Sequence, residues 1–207
     1  MPWAPDYVSA DELAEQLRIG DDVDDVQLAL AATAASRAVD GTTHRQFGLA
    51  DTLEVREYTA RWSRTRGAWL VPVDDLMDLT GFAVTVDLDG DGAHEATVDP
   101  AMVVKLPRNA AAKGRPYERL LIPAWSPVQP TGVDGAVAVT ARPGWTAVPD
   151  TVKQATLLQG ARFAARRDAP FGVAGSPEAG SELRLLARVD PDVAVTLAGY
   201  RRKVWAR

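Results

Sequence analysis

Three carboxylates at alternate positions, in Asp87-Leu88-Asp89-Gly90-Asp91-Gly92, are the residues of this chain whose type and spacing come nearest to a defined chemistry. Acidic ligands at positions one, three and five with glycine at six begin a calcium loop, where hard oxygens surround the cation and the glycine permits a sharp turn. The twelfth position of such a loop requires a bidentate glutamate, and here it is Val98. The flanks are strand-like, Val84-Thr85-Val86 before and Glu95-Ala96-Thr97-Val98 after, so a hairpin turn of Asp and Gly residues accounts for the motif without metal. Asp87, Asp89 and Asp91 thus stand as candidate cation ligands against a turn reading, and no cofactor is expected.

Other reactive groups do not assemble into a set. His44 and His94 fall in different parts of the chain, and nothing singles out a nucleophile or a third group that would orient either ring. The absence of cysteine removes disulfides, thiolate zinc sites and cysteine nucleophiles together. No phosphate loop, dinucleotide fingerprint or H-E-x-x-H helix is present. Asp74 and Asp75 are adjacent, but neighbours in sequence are not thereby placed across a substrate. The chain reads as a non-enzyme, and an enzyme reading would need a deep pocket that gathers scattered carboxylates.

The elements that must carry these residues divide by period. Ser9-Ala10-Asp11-Glu12 has the spacing of a capping box, predicting a short helix through Leu13 and Leu17 that stops near Gly20. Asp21, Asp22, Asp24 and Asp25 then suit a helix N-terminus, followed by Val26, Leu30, Ala34 and Ala38 at i+4 steps to about Gly41. From about residue 52 the period becomes that of strands: residues 53–58, 83–88, 102–106, 120–122 and 136–140 are short, β-branched and separated by Gly, Pro and Asp. Two further helices begin at Pro149-Asp150 and Asp190-Pro191-Asp192. The expected fold is α+β: a helical bundle formed by residues 1–50 and 148–207, with an antiparallel β-rich block, residues 51–147, inserted between them.

With 46% hydrophobic and 25% charged residues among 207, the chain has the composition of a globular protein able to bury a core. Its start, Met1-Pro2-Trp3-Ala4-Pro5-Asp6, has no secretory pattern, and no apolar run is long enough to span a bilayer, so a cytosolic protein without a membrane is expected. The net charge of −5 is uneven: −8 over residues 1–57, −1 over 58–149 and +4 over 150–207. Such a split serves complementarity within the molecule, head-to-tail contact between copies, or an acidic surface along which DNA slides. Residues 169–181 are rich in Gly and Pro yet keep Phe171 and Val173, which fits a mobile loop or one ordered on a neighbouring copy. Arg162, Arg166 and Arg167 oppose a helix dipole. At the chain end Tyr200 and Trp205 interleave with Arg201, Arg202, Lys203 and Arg207, a mixture that favours a protein partner over DNA.

Along the chain stand the acidic-capped alanine-rich helix, Asn109 with Gly114-Arg115-Pro116-Tyr117, Gly144-Trp145-Thr146-Ala147-Val148-Pro149-Asp150-Thr151-Val152-Lys153-Gln154-Ala155-Thr156, Ala169-Pro170-Phe171-Gly172-Val173-Ala174-Gly175, and Asp190-Pro191-Asp192-Val193 with Tyr200-Arg201-Arg202. In this order they resemble the head-to-tail connector, or adaptor, proteins of long-tailed phages. The resemblance is strongest over residues 144–202. The resemblance implies a structural virion protein, assembled in the host cytoplasm, that forms a dodecameric ring under the portal, extends the DNA channel and links capsid to tail. Its partners would be the portal protein, neighbouring copies and a downstream neck or tail protein, with DNA passing through without sequence-specific binding. Tyr200, Arg201 and Arg202 take the portal-docking role by resemblance; Trp205 and Arg207 join them on chemistry alone. The competing expectation is a cation-dependent binding module of the virion that uses Asp87 to Gly92.

Overall fold

The computed structural model describes residues 4–20, 24–165, 173–174, 183–184 and 190–202. In chain order the elements are α1 (Ala10–Leu17), α2 (Asp25–Thr43), β1 (Glu54–Tyr58), β2 (Arg61–Ser63), β3 (Ala68–Leu76), β4 (Asp78–Val86), β5 (Ala96–Val98), β6 (Val104–Leu106), β7 (Tyr117–Pro123), β8 (Val137–Arg142), α3 (Asp150–Ala165), β9 (Val173–Ala174), β10 (Leu183–Arg184) and α4 (Pro191–Leu197). The fold is α+β. The chain divides into a helical unit, Ala4–Phe47 with Val148–Arg207, and a β unit, Gly48–Ala147. No described helix is long and apolar enough to cross a membrane.

In the helical unit, local sequence sets the ends of the helices and small residues set their packing. Ser9 Oγ accepts from the Glu12 amide at 3.0 Å while Glu12 Oε2 accepts from the Ser9 amide at 2.8 Å, closing both halves of the capping box. α1 ends where Arg18 turns left-handed, φ 58°. Leu28, Ala31, Ala32, Ala35, Ser36, Val39 and Thr43 line the buried face of α2 at helical spacing, and α3 buries Val152, Ala155, Thr156, Gln159 and Gly160. These two stripes face each other with little side chain between them: a Cβ at Gly160 would lie 3.7 Å from that of Ala35 and 3.2 Å from Leu13 Cδ1. Leu13 and Leu28, nearly or fully sealed, each contribute about 1.5–3 kcal/mol by leaving water. Buried hydroxyls serve their own helices, Ser36 donating to the Ala32 carbonyl and Thr156 to that of Val152, both at 2.8 Å.

The β unit consists of two antiparallel four-stranded sheets, ordered β1-β8-β4-β5 and β2-β3-β7-β6. Alternation aims Val71 and Val73 of β3, Val84 and Val86 of β4, Leu120 and Ile122 of β7, and Val137, Val139 and Ala141 of β8 into one shared core. β2 and β3 add to the strands read from sequence. β3 escapes a sequence reading because Pro72 and Asp74-Asp75 look like punctuation. Its Pro72 is exposed, and the buried Asp75 carboxylate accepts from Trp145 Nε1 at 2.7 Å, so both residues are accommodated within a strand.

The chain enters and leaves this unit through one tight crossing. The Trp145 amide donates to the Gly48 carbonyl at 2.8 Å, the Ala50 amide to Pro143 at 2.9 Å, and the Gly144 amide to Asp75 at 2.6 Å. Gly144 adopts φ 126°, and a Cβ there would run into the Gly48 carbonyl and sit 2.8 Å from the Leu49 Cα. Gly144→Ala is therefore expected to destabilise the protein by on the order of 3 kcal/mol. Gly41, inside α2 with open space around it, provides the opposite case, and Gly41→Ala should stabilise by about 0.5–1 kcal/mol. Urea denaturation of the two variants checks both signs.

Candidate functional site

Asp190 builds the start of the carboxy-terminal segment. Its carboxylate caps α4 by accepting from the Asp192 amide at 2.9 Å and pairs with Arg162 at 3.1 Å, while its own amide donates to Gln159 Oε1 at 3.2 Å. Pro191 occupies the first turn, and Val193 and Leu197 are buried. A short 3-10 turn, Ala198–Tyr200, then brings the chain to the C-terminal end of α2. There the Tyr200 carbonyl accepts from Arg45 Nε at 2.6 Å, and the Arg202 amide donates to the Thr43 carbonyl at 2.8 Å. The Tyr200 ring meets Phe47 edge to face, with centroids 5.8 Å apart.

Phe47 is itself fixed by the start of the chain. Its ring packs edge to face on Tyr7 at 5.6 Å, and its amide donates to the Tyr7 hydroxyl at 2.9 Å. That hydroxyl donates to Asp40, and the Arg37 guanidinium lies over the Tyr7 ring, 5.7 Å from its centroid. Arg37 also reaches the carbonyls of Ala4 and Pro5 at 3.0 and 2.6 Å and pairs with Asp40 at 3.3 Å. Burial, with the hydrogen bond to Asp40, pushes the Tyr7 phenol well above its ordinary range. Burial likewise raises the Asp40 carboxyl above 3.8, against the lowering effects of Tyr7 and Arg37.

The docking residues expected from sequence therefore take different positions. Tyr200 is half-buried and engaged within its own unit, Arg201 is exposed, and Arg202 is held by its backbone. Trp205 and Arg207 lie outside the described residues, as does Phe171. Val173 belongs to β9, which pairs antiparallel with β10, Val173 opposite Arg184. The anchors that sequence reasoning missed are Tyr7, Arg45 and Phe47; no periodicity ties a tyrosine at position 7 to one at position 200.

The acidic motif joins β4 to β5, paired with Val86 opposite Ala96. Asp87 accepts from the amides of Gly90 at 2.7 Å and Gly92 at 2.9 Å, and Asp91 from Ala93 at 2.7 Å. Glu95 accepts from the Leu88 amide at 2.9 Å. Carboxylate oxygens of Asp87, Asp89 and Glu95 come within 4.8 Å of one another; Asp91 is not in that group. The amides of Gly90 and Gly92 hold the Asp87 carboxyl below 3.8. The motif thus orders its own turn through backbone hydrogen bonds. Elsewhere, a cavity of about 380 Å³ in the helical unit is lined, among the described residues, by Leu17, Ile19, Asp24, Leu28, Leu30 and Phe163. The described lining is chiefly apolar.

No protein-family model matches the chain, and no curated protein does. Its fold is similar to solved structures over nearly its whole length. One is a chain of the "Neck of empty GTA particle computed with C6 symmetry", with 20% identity, a TM-score of 0.51, and coverage of 97% of this chain and 92% of the other. Another is a chain of the "Virion of native gene transfer agent (GTA) particle", with 23% identity, a TM-score of 0.53, and coverage of 98% and 94%. At these identities the likeness is one of fold.

Two measurements test the anchor. Tyr7→Phe leaves the Phe47 amide and Asp40 without their common partner and should cost about 2 kcal/mol in urea denaturation. The second measurement exploits the opposite signs of the shifts at Asp40 and at Asp87 in the acidic turn. Asp40, raised in the fold, contributes stability in full below 3.8 that is lost as pH rises through its folded value, so wild type should fall relative to Asp40→Asn with rising pH. Asp87, lowered in the fold, contributes stability above 3.8 that is lost as pH falls, so wild type should fall relative to Asp87→Asn with acidification.

Proposed function

We propose that this chain is a structural protein of a phage-like virion, located in the neck, where it acts as the head-to-tail connector. The observation that carries this reading is the fold likeness to a chain of a gene transfer agent neck, which spans helices and β unit together. In the finer form of the proposal, copies form a dodecameric ring under the portal, extend the DNA channel and present a surface to the next neck or tail protein. A ring of twelve is compatible with the C6 symmetry applied to that neck. The proposed role is structural, without turnover of a substrate.

Within this reading the carboxy-terminal segment is the portal-facing part, with Tyr200 and Arg202 holding its base. The Tyr200 ring on Phe47 and the two backbone contacts at Arg45 and Thr43 hold residues 200–202 against the end of α2. Exposed Arg201, and beyond it Trp205 and Arg207, then supply the aromatic and guanidinium groups that protein interfaces favour. Phe171 and Val173 are proposed to meet a neighbouring copy. Each contact is modest, and a closed ring whose members engage each other and the portal multiplies them through effective concentration, by about 10²- to 10⁴-fold.

The test is to mix purified protein with portal particles and look for an added ring by electron microscopy. Deletion of residues 203–207 spares every contact described at Tyr200 and Arg202, so the truncated protein should keep its thermal midpoint and fail to join portals. Undiminished joining would move the docking surface elsewhere. Failure of the full-length chain to bind portals at all would remove the connector role.

A further inference from the structure

A hairpin in the β unit carries three arginines that form no ion pair among the described residues. β2 and β3 pair with Trp62 opposite Trp69, and the sequence through the turn is Arg61-Trp62-Ser63-Arg64-Thr65-Arg66-Gly67-Ala68-Trp69. Arg61, Arg64 and Arg66 are exposed, and none makes an ion pair or side-chain hydrogen bond among the described residues. Residues 58–73 and 119–133 contain no Asp or Glu, and pairing of β3 with β7, Trp69 opposite Ile122, sets these two acid-free stretches side by side. Of the carboxylates flanking them, Asp74 is bound by Arg56 and Tyr58, and Asp134 accepts from the Thr59 hydroxyl. Glu57 and Glu118 are the other two.

The same end of the unit exposes indole surface. Trp62 is 45% exposed and rests edge to face on Trp69, centroids 5.5 Å apart. Trp125 is 76% exposed, and the turn that carries it is tied to the hairpin by the Ala124 amide, which donates to the Gly67 carbonyl at 3.3 Å. Ser63 and Thr65 hold their hydroxyls 3.3 Å apart between the arginines.

The geometry points to a binding site for the sugar-phosphate backbone of duplex DNA, independent of base sequence. Guanidinium forks match phosphate oxygens two at a time, and serine and threonine hydroxyls are common partners of the same oxygens. The hairpin lacks Asn and Gln, the side chains that read adenine, and a two-stranded β-ribbon is narrow enough for the major groove. Flat indoles beside the cations can pack on the deoxyribose faces that line the backbone. An acidic protein surface is the competing occupant; phosphates are favoured because the cations surround exposed hydroxyls and a turn instead of an apolar pocket that would seat an anchor residue. This site stands apart from the portal contact: a chain that never meets a portal would still show it.

The experiment is fluorescence anisotropy of a labelled duplex titrated with the full chain at about 50 and 200 mM salt. Three phosphate contacts predict binding at the lower salt and a loss of about 40-fold at the higher, through counterion release. Duplexes of unrelated sequence should bind within about twofold of one another. R61Q/R64Q/R66Q should weaken binding at low salt by about tenfold or more with an unchanged thermal midpoint. Arg64→Glu, a single change in the exposed turn, should weaken it by about fivefold if the triple variant does not fold. Absence of binding by wild type, or equal binding by the variants, overturns the inference. Self-association that the triple variant loses, without DNA binding by wild type, would assign the patch to a second copy and overturn it equally.

Discussion

The Tyr7 hydroxyl is the contact on which the seating of residues 198–202 depends. A buried phenol must satisfy its oxygen, and this one does so twice, accepting from the Phe47 amide and donating to Asp40. It thereby joins the start of the chain, the last turns of α2 and the residue on which the Tyr200 ring packs. The carboxy-terminal segment consequently rests on a surface made by residues that precede it by more than 150 positions, Arg45 included. Because desolvated polar groups gain little from each bond made and lose much from each bond broken, such a network fixes geometry more than it raises stability. That is the property needed of a segment proposed to meet a partner in one orientation.

What could be read from sequence followed how local its cause was. The first helix was legible because Ser9 and Glu12 contain its capping chemistry, and α4 because Asp190 and Pro191 do. α3 and the broad alternation of β1, β4, β7 and β8 were legible for the same reason. β3 was not, since Asp75 becomes tolerable in a strand only when Trp145 arrives from 70 residues away. The acidic turn was legible as a turn, yet its membership was not: Glu95 comes across β5's entry to join Asp87 and Asp89, while Asp91 turns to the Ala93 amide. The cationic hairpin escaped because three arginines in an exposed ribbon look like ordinary solvated charge. Only the register of β3 on β7 reveals that two stretches without acids converge there.

This convergence bears on how an acidic chain can contact a polyanion. Net charge governs long-range attraction, but at physiological salt the Debye length is about 8 Å, so a contact responds chiefly to charges in its immediate surroundings. An overall charge of −5 disfavours general adhesion to DNA, whereas a patch built from two acid-free stretches would permit a few phosphates to be held locally. In the proposed neck, that combination would let each copy touch the duplex without gripping it. Many weak contacts around a channel can centre DNA and still exchange as it moves, because each releases independently. A protein with the same cations spread evenly over its surface would lack both features.

The two cationic regions also differ in how their aromatics are used, and this separates their proposed partners. At the carboxy terminus the described aromatic, Tyr200, is turned inward onto Phe47, so that the ring fixes a base and leaves exposed Arg201 beyond it. At the hairpin the indoles of Trp62 and Trp125 remain at the surface beside exposed guanidinium groups. An inward ring costs the segment its freedom before any partner arrives, which lowers the entropy lost on docking to a shaped protein surface. Outward rings flanking a charged turn require no matching shape, only a repeating anion with flat faces nearby. Preorganisation in one region and tolerance in the other are what a joint between two particles, with DNA passing between them, would need from a single chain.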